Sequence, residues 1–282
     1  MALRGTVAQR VRRTVARHGI SIFAALIFVY PVVWILMASI KPAIEIYRAP
    51  LTLLPSVADF SGFQLIFQRW PLWTFIFNSL VYSVGAVVIS LGFALFASYG
   101  LSRSEFRGKQ LTLVAILMVQ MIPTLVSAIP IYLLMQRMGL YNSRIGMVIL
   151  YSAARIPWGV WIMVGFLNKI PRALDEAAII DGCNRLTILR RIIFPLALPG
   201  LASAAIFTFV GTWNEFALAS IILRDTNVLS LPVAALTIVQ QDPNDWRLIA
   251  VTATVNLLPV LAVFAVLQRH IIAGLTRGAL KG

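Results

Sequence analysis

Charged side chains are scarce in this 282-residue chain. Asp, Glu, Lys and Arg together make up 12% of the residues, whereas an average soluble domain carries roughly 25%. An ordinary globular enzyme is therefore excluded. Apolar residues account for 60% of the chain and are concentrated in long runs without charge. Because about 20 apolar residues span the hydrocarbon core of a bilayer, these runs indicate an all-α integral membrane protein.

The uncharged runs predict six transmembrane helices. We expect them at 19–40, 74–99, 111–136, 145–167, 196–223 and 248–272. Five of the six contain internal prolines, which membrane helices tolerate and which can also kink them around a cavity. A further uncharged stretch at 228–241 contains Pro232 and is too short to cross, so it predicts an interfacial or cavity-capping helix.

Histidine, cysteine and the common nucleotide motifs are also missing or rare. The single cysteine, Cys183, allows no internal disulfide, and His18 and His270 lie at predicted membrane edges. There is no HExxH, no G-x-x-x-x-G-K phosphate loop and no G-x-G-x-x-G. We therefore expect no catalytic residue, no metal site and no cofactor bound by this chain.

The basic residues are distributed unevenly. The formal net charge is +14, and with the N-terminus inside, 16 of the 24 Lys and Arg residues fall on the cytoplasmic side and seven outside. This asymmetry is the positive-inside rule, and it predicts that both termini are cytoplasmic. A nucleic-acid partner is not needed to explain the charge. The chain then divides into a basic N-terminal segment at 1–18, a membrane domain at 19–272 and a cytoplasmic tail at 273–282.

The predicted cytoplasmic loop at about 168–195 contains a short helix. Pro171 suits its first turn, and Asp175 and Glu176 sit near its positive end. Its charges spread around the whole circumference, which is typical of a helix exposed to solvent or enclosed by another protein. Ala178 and Gly182 share one face and carry almost no side chain, so a partner could approach closely there. An ordinary solvated helix is the alternative.

This loop carries a family motif. Its matching residues are Glu176, Ala177, Ala178, Gly182, Ile192 and Pro195, with Phe194 in place of leucine. The pattern resembles the EAA loop of permease subunits of ABC importers. Three other segments, 39–55, 213–216 and 274–282, are similar to the maltose-type, carbohydrate-transporting branch, and the closest similarity is to the shorter, six-span member of its permease pair.

The resemblance implies a type I ABC importer permease fold and a set of partners. The loop helix would dock on a separate ATPase dimer, which binds ATP and Mg. A second permease, an extracytoplasmic solute-binding protein and a sugar substrate complete the expected assembly, in the lipid of a bacterial or archaeal cytoplasmic membrane. The expected ATPase contacts are Glu176, Ala177, Ala178, Asp181 and Gly182 in the loop, with Gly274, Thr276 and Gly278 in the tail.

The membrane segments contain two ionisable candidates for function, Arg155 and Glu215. Such residues are costly in hydrocarbon, so we expect both to face the bundle interior, where they could pair with each other or contact a ligand. Further polar or aromatic candidates for the substrate pathway are Asn78, Trp213, Asn214 and Asn256, with Asn214 preferred. Membrane-interface belts and helix bridging explain such residues equally well.

Two other functions stay open. The same importer type also takes up glycerol phosphate or glycerophosphodiesters, and the sequence does not identify the solute. A self-sufficient secondary transporter is the other class, but it would normally show more buried acidic residues than the lone Glu215. The loop motif favours the importer.

Overall fold

The computed structural model describes the backbone of residues 7–279 and the side chains of 18–266 and Gln268. The regular elements in this part of the chain are helices. They are α1 (Val7–Ser39), α2 (Ala43–Ile46), α3 (Ser61–Arg69), α4 (Leu72–Arg103), α5 (Lys109–Gln120), α6 (Thr124–Arg137), α7 (Arg144–Leu167), α8 (Ala173–Ile180), α9 (Arg185–Ile188), α10 (Phe194–Trp213), α11 (Ala217–Ile222), α12 (Leu231–Gln241) and α13 (Trp246–Ala279).

The predicted all-α membrane architecture is confirmed. Within the described residues, five helices are long and apolar enough to cross a membrane, and α5 with α6 makes a sixth if the two form one broken span. The prediction of one continuous helix at 111–136 is wrong, because α5 and α6 meet at an angle of 89°.

Pro123 lies at the break between α5 and α6 and begins the turn into α6. Proline lacks the N–H that a continuing helix needs and disfavours helical geometry in the residue before it. Other prolines stay inside their helices: Pro31, Pro130, Pro157, Pro199 and Pro259. Proline alone therefore does not decide where a span breaks.

The fifth predicted span, 196–223, also differs. Helix α9, a turn of π-helix at Leu189–Ile193 and α10 run on as one apolar segment from Arg185 to Trp213. The helix starts early because the side chain of Asn184 accepts a 2.8 Å hydrogen bond from the backbone N–H of Thr187, which caps α9. The helix then ends at Trp213, and α11 begins after a three-residue break.

The segment predicted at 228–241 forms α12, an apolar helix of 11 residues. It is too short to cross a bilayer at about 1.5 Å per residue. The expectation that this stretch is not a seventh span is therefore confirmed.

The chain folds as two compact units. One contains the residues up to Trp70 together with Ile238–Val255. In it, Lys41 is buried, its ammonium donates to the Thr52 carbonyl, and it lies 5.3 Å from the centre of the Trp34 ring.

The other unit contains Pro71–Thr237 and the residues from Asn256 onward, and its helices α4, α7 and α10 pack closely. A row of small buried residues on α4 permits this approach. The row comprises Ser79, Ser83, Ala86, Ser90 and Ala94. A Cβ added at Gly159 of α7 would lie only 3.0 Å from the Cβ of Ala94.

Candidate functional site

The loop helix predicted from the motif is α8. It starts directly after Pro171 and Arg172 and ends at Ile180, with Asp181 as the C-cap residue. Gly182 then adopts a φ of +81°, in the left-handed region that favours glycine. The N–H of Gly182 donates to the Ile179 carbonyl and that of Cys183 to the Ala178 carbonyl, at 3.0 and 2.9 Å. These two bonds form a Schellman motif, which satisfies carbonyls at the helix end.

One face of α8 is fixed to its own chain. Asp175 and Ala178, one turn apart, are both buried. Ala178 packs in an apolar cluster that includes Leu167, Ile188 and Ile193. The Asp175 carboxylate is held by two residues of α4, since its Oδ2 lies 3.0 Å from Nε of Arg103 and its Oδ1 accepts a 2.9 Å hydrogen bond from Tyr99.

The rest of the α8 surface is open and partly apolar. Ile180 is 86% exposed and Ile179 is 56% exposed. Glu176, Ala177 and Asp181 are exposed as well. A helix with one face anchored and an exposed apolar face suits a partner surface better than water.

The predicted roles of Ala178 and Gly182 need correction. The two residues do not form a bare face for a partner, because Ala178 is buried against its own chain. Gly182 is exposed, and a Cβ there would meet nothing within 4 Å. Glycine is therefore favoured at position 182 by the positive φ of the turn. The charges of α8 are also interrupted by apolar surface, since Ile179 and Ile180 are both exposed.

A surface ion-pair network borders α8. Nη2 of Arg172 lies 2.5 Å from Oε1 of Glu105, and Nζ of Lys109 lies 3.7 Å from the same oxygen. The hydrogen bond from Arg172, followed by the attraction of Lys109 and Arg172, lowers the pKa of Glu105 below its usual 4.5. Glu105 thus stays ionised at neutral pH. Such exposed pairs contribute little to stability.

Within the membrane segments, Glu215 lies in the break between α10 and α11 and caps α11. Its Oε1 accepts from the N–H of Leu218 at 2.8 Å and its Oε2 from that of Ala219 at 3.1 Å. The hydroxyl of Tyr151 also donates to Oε2, at 2.7 Å. These three donors fix the position of the carboxylate at the start of α11.

Arg155 takes a different partner from the one suggested. Among the described residues, no ion pair within 4.0 Å joins it to Glu215. Instead, Nη2 of Arg155 donates to the carbonyl of Gly211 at 2.5 Å. A Cβ at Gly211 would lie 3.0 Å from the guanidinium carbon, so the glycine leaves space for the arginine. The suggested direct pair is therefore not formed.

Two residues predicted for the substrate pathway have structural roles instead. Asn78 is fully buried, and its amide nitrogen donates to the carbonyls of Asn227 and Leu229, both at 2.9 Å. Trp213 is buried, and its indole N–H donates to the Asn256 carbonyl at 3.0 Å. Both side chains are buried and join segments of the bundle, as buried polar groups commonly do.

The remaining candidates divide into two groups. Asn214 is exposed at the end of α10, where its amide nitrogen donates to the Val210 carbonyl of its own helix. The side-chain oxygen of Asn256 is buried without a hydrogen-bond partner in the described part of the chain. The surroundings of the predicted tail contacts, Gly274, Thr276 and Gly278, lie outside the described part of the structure.

Sequence reasoning missed Arg144 and Asn142. Nε of Arg144 donates to Oδ1 of Asn78 at 2.7 Å, and its Nη2 donates to the Asn227 carbonyl at 2.7 Å. Asn142 has a positive φ of 54°, and its Oδ1 accepts from the N–H groups of Arg224 and Asp225. Asparagine tolerates this conformation better than most residues. In the sequence, only the position of Asn142 just before the predicted span at 145–167 could have indicated a turn there.

Comparison with known proteins identifies the family. Residues 89–277 match the family described as binding-protein-dependent transport system inner membrane component. The chain belongs to this family. It is thus a permease subunit of a binding-protein-dependent ABC importer and a multi-pass protein of the cytoplasmic membrane, as the motif implied. The permease carries its loop motif on α8 and on the segment that leads into α10.

Several characterised relatives align over most of the permease. It is 32% identical to a diacetylchitobiose uptake system permease protein of Streptomyces coelicolor, over 90% of this chain and 92% of the relative. It is 31% identical to an arabinooligosaccharides transport system permease protein of Halalkalibacterium halodurans, over 92% of this chain and 94% of the relative. It is 30% identical to a sulfoquinovosyl glycerol transport system permease protein of Agrobacterium fabrum, over 90% of this chain and 89% of the relative.

A solved structure shares the fold. A chain of a bacterial ABC transporter involved in the import of the acidic polysaccharide alginate superposes with a TM-score of 0.78 and 27% identity. The match covers 96% of the permease and all of that chain. The type I importer permease fold implied by the resemblance is therefore confirmed.

Proposed function

We propose that this permease forms half of the translocation pathway for a sugar or oligosaccharide, and that α8 couples it to a separate ATPase. The observation that carries the coupling role is the division of α8 into an anchored face and an exposed apolar face. Asp175 and Ala178 hold the helix to the bundle, while Ile179 and Ile180 project outward. Burying them against a partner would remove apolar surface from water.

The proposed assembly contains a second permease, two ATPase copies with ATP and Mg, and an extracytoplasmic solute-binding protein. The net charge of +14 and its asymmetry support an orientation with both termini and α8 in the cytoplasm. Bacteria or archaea are the proposed source. The permease itself is not an enzyme in this scheme, because the ATPase subunits hydrolyse ATP.

The sugar class is supported by what the relatives are named for, which includes diacetylchitobiose, arabinooligosaccharides and trehalose. The alternative, glycerol phosphate or its diesters, has less support, since these relatives are named for carbohydrates or a glycoside. Exposed Asn214, with both a hydrogen-bond donor and an acceptor, remains the proposed sugar contact.

Co-purification with the ATPase tests the role of α8. Ile180→Glu places a charge on the exposed face without disturbing the buried one, so the variant should insert normally and recover at least tenfold less ATPase. Ile44→Glu is the matched control, because Ile44 is 79% exposed on α2, in the predicted outer segment. Equal recovery of ATPase by Ile180→Glu and the unaltered permease would contradict the docking role.

A further inference from the structure

Asp175 differs from its neighbours on α8 in its surroundings. Glu176 beside it is exposed, whereas Asp175 is only 8% exposed. The side chains of Asp175 and Arg103 are each 11% exposed, with Oδ2 and Nε 3.0 Å apart. The family motif begins at Glu176, and nothing in it assigns a role to the residue before it.

Three elements meet at the guanidinium of Arg103. Its Nε faces Asp175 of α8, and its Nη1 donates to the Leu167 carbonyl at the end of α7, at 3.3 Å. Arg103 is itself the last residue of α4. Tyr99, one turn earlier, bonds to the other carboxylate oxygen of Asp175 at 2.9 Å. The carboxylate thereby joins α8 to the end of α4, and Arg103 joins both to the end of α7.

The contact between Asp175 and Arg103 is better suited to transmitting movement of α8 than to stabilising the fold. A buried ion pair adds little net stability compared with apolar packing, but it is costly to break by removing one partner. It also restricts the position of α8, because one carboxylate oxygen accepts a hydrogen bond from Tyr99 and the other lies against the Arg103 guanidinium. A displacement of α8 therefore carries the end of α4 with it or separates buried charges, and Arg103 passes the movement on to the Leu167 carbonyl of α7.

We infer that Asp175, Arg103 and Tyr99 form the link that carries movement of α8 into the membrane helices α4 and α7. Asp175 is a positioning residue in this scheme and does not touch the ATPase. The exposed residues of α8 receive the force and the buried carboxylate passes it on. The inference rests on the proposed function, in which the ATPase binds α8.

The test separates binding from transmission. Asp175→Asn keeps the size of the side chain but removes its charge. In the complete complex in lipid, the variant should recover ATPase within about twofold of the unaltered permease. Stimulation of ATP hydrolysis by the sugar-loaded binding protein should fall about tenfold, within the range of measured coupling between sites. Tyr99→Phe, which keeps the ion pair, should lower it less.

A double variant and a control sharpen the result. Asp175→Asn with Arg103→Gln removes both charges, so it should couple no worse than either single variant. Glu105→Gln breaks the nearby exposed pair with Arg172 and should change stimulation less than twofold. Unchanged stimulation of ATP hydrolysis in Asp175→Asn would overturn the inference. It would also be overturned if stimulation fell only in proportion to the amount of ATPase lost from the complex. Failure of the unaltered permease to retain ATPase would instead refute the proposed function.

Discussion

The hydroxyl of Tyr151 donates a 2.7 Å hydrogen bond to the carboxylate of Glu215. This bond connects α7 to the break between α10 and α11. Arg155, one turn further along α7, bonds instead to the Gly211 carbonyl. The Glu215 carboxylate is thus held by the neutral hydroxyl of Tyr151 and by backbone N–H groups at the start of α11. These bonds fix the break between α10 and α11 against α7.

Double variants should reveal this pairing. Tyr151→Phe and Glu215→Gln remove the same hydrogen bond, so their combined loss of stability should be less than additive by about 1 kcal/mol. Arg155→Gln combined with Glu215→Gln should be closer to additive, because no direct ion pair is lost. The measurement is thermal unfolding of the purified complex in detergent. A larger coupling for Arg155 than for Tyr151 would contradict the structure.

Gly200→Ala should disturb the packing of α10 on α7. An added Cβ would lie 2.6 Å from Cγ of Phe166, so the ring must move. We expect a loss of about 1–3 kcal/mol in stability, as for other overpacked cores. Gly165→Ala is the matched control, since its Cβ would meet nothing within 4 Å. Equal melting temperatures for the two variants would show that the helices do not approach as described.

Asn78 and Asn214 should differ in the property that each affects. Asn78→Leu leaves the carbonyls of Asn227 and Leu229 and Nε of Arg144 without this partner, which should cost about 3 kcal/mol of stability. Asn214→Leu should leave the melting temperature nearly unchanged, because the side chain is exposed and its amide donates to a carbonyl of its own helix. In transport assays at equal protein levels, Asn214→Leu should lose more sugar uptake than Asn78→Leu. A stable Asn78→Leu variant would return that residue to the substrate pathway.

Gly182→Ala should weaken the end of α8. Alanine at a φ of +81° costs about 1–2 kcal/mol, whereas asparagine adopts this region more readily. We therefore expect ATPase recovery to fall in Gly182→Ala and to be largely restored in Gly182→Asn. If both variants behave alike, the requirement at this position is the absence of a side chain and the close-docking interpretation returns.

The membrane helices and the loop helix could be predicted because their signals are local. Uncharged runs of sufficient length and a motif at fixed spacing lie within single segments of the chain. The roles of Asn78 could not be predicted, since its carbonyl partners are 149 and 151 residues further along the chain. The inward direction of Asp175 was equally hidden, because it depends on Arg103 in another helix.

The break at Pro123 shows a different limit. Several prolines lie in or beside the long helices, and the sequence alone does not indicate which of them ends a helix. The distribution of charges around α8 did not indicate its buried face. An eight-residue helix offers too few positions to distinguish a buried aspartate from an exposed one. Family resemblance identified the correct loop but not which of its residues face inward.

Reconstitution of the permease with its partners tests the central claim most directly. The complex should be placed in lipid vesicles, and ATP hydrolysis and sugar uptake should be measured with and without the loaded solute-binding protein. The account predicts that both activities rise together only when the ATPase, both permeases and the loaded binding protein are present. Sugar uptake by this permease alone, without ATP or an ATPase, would contradict it.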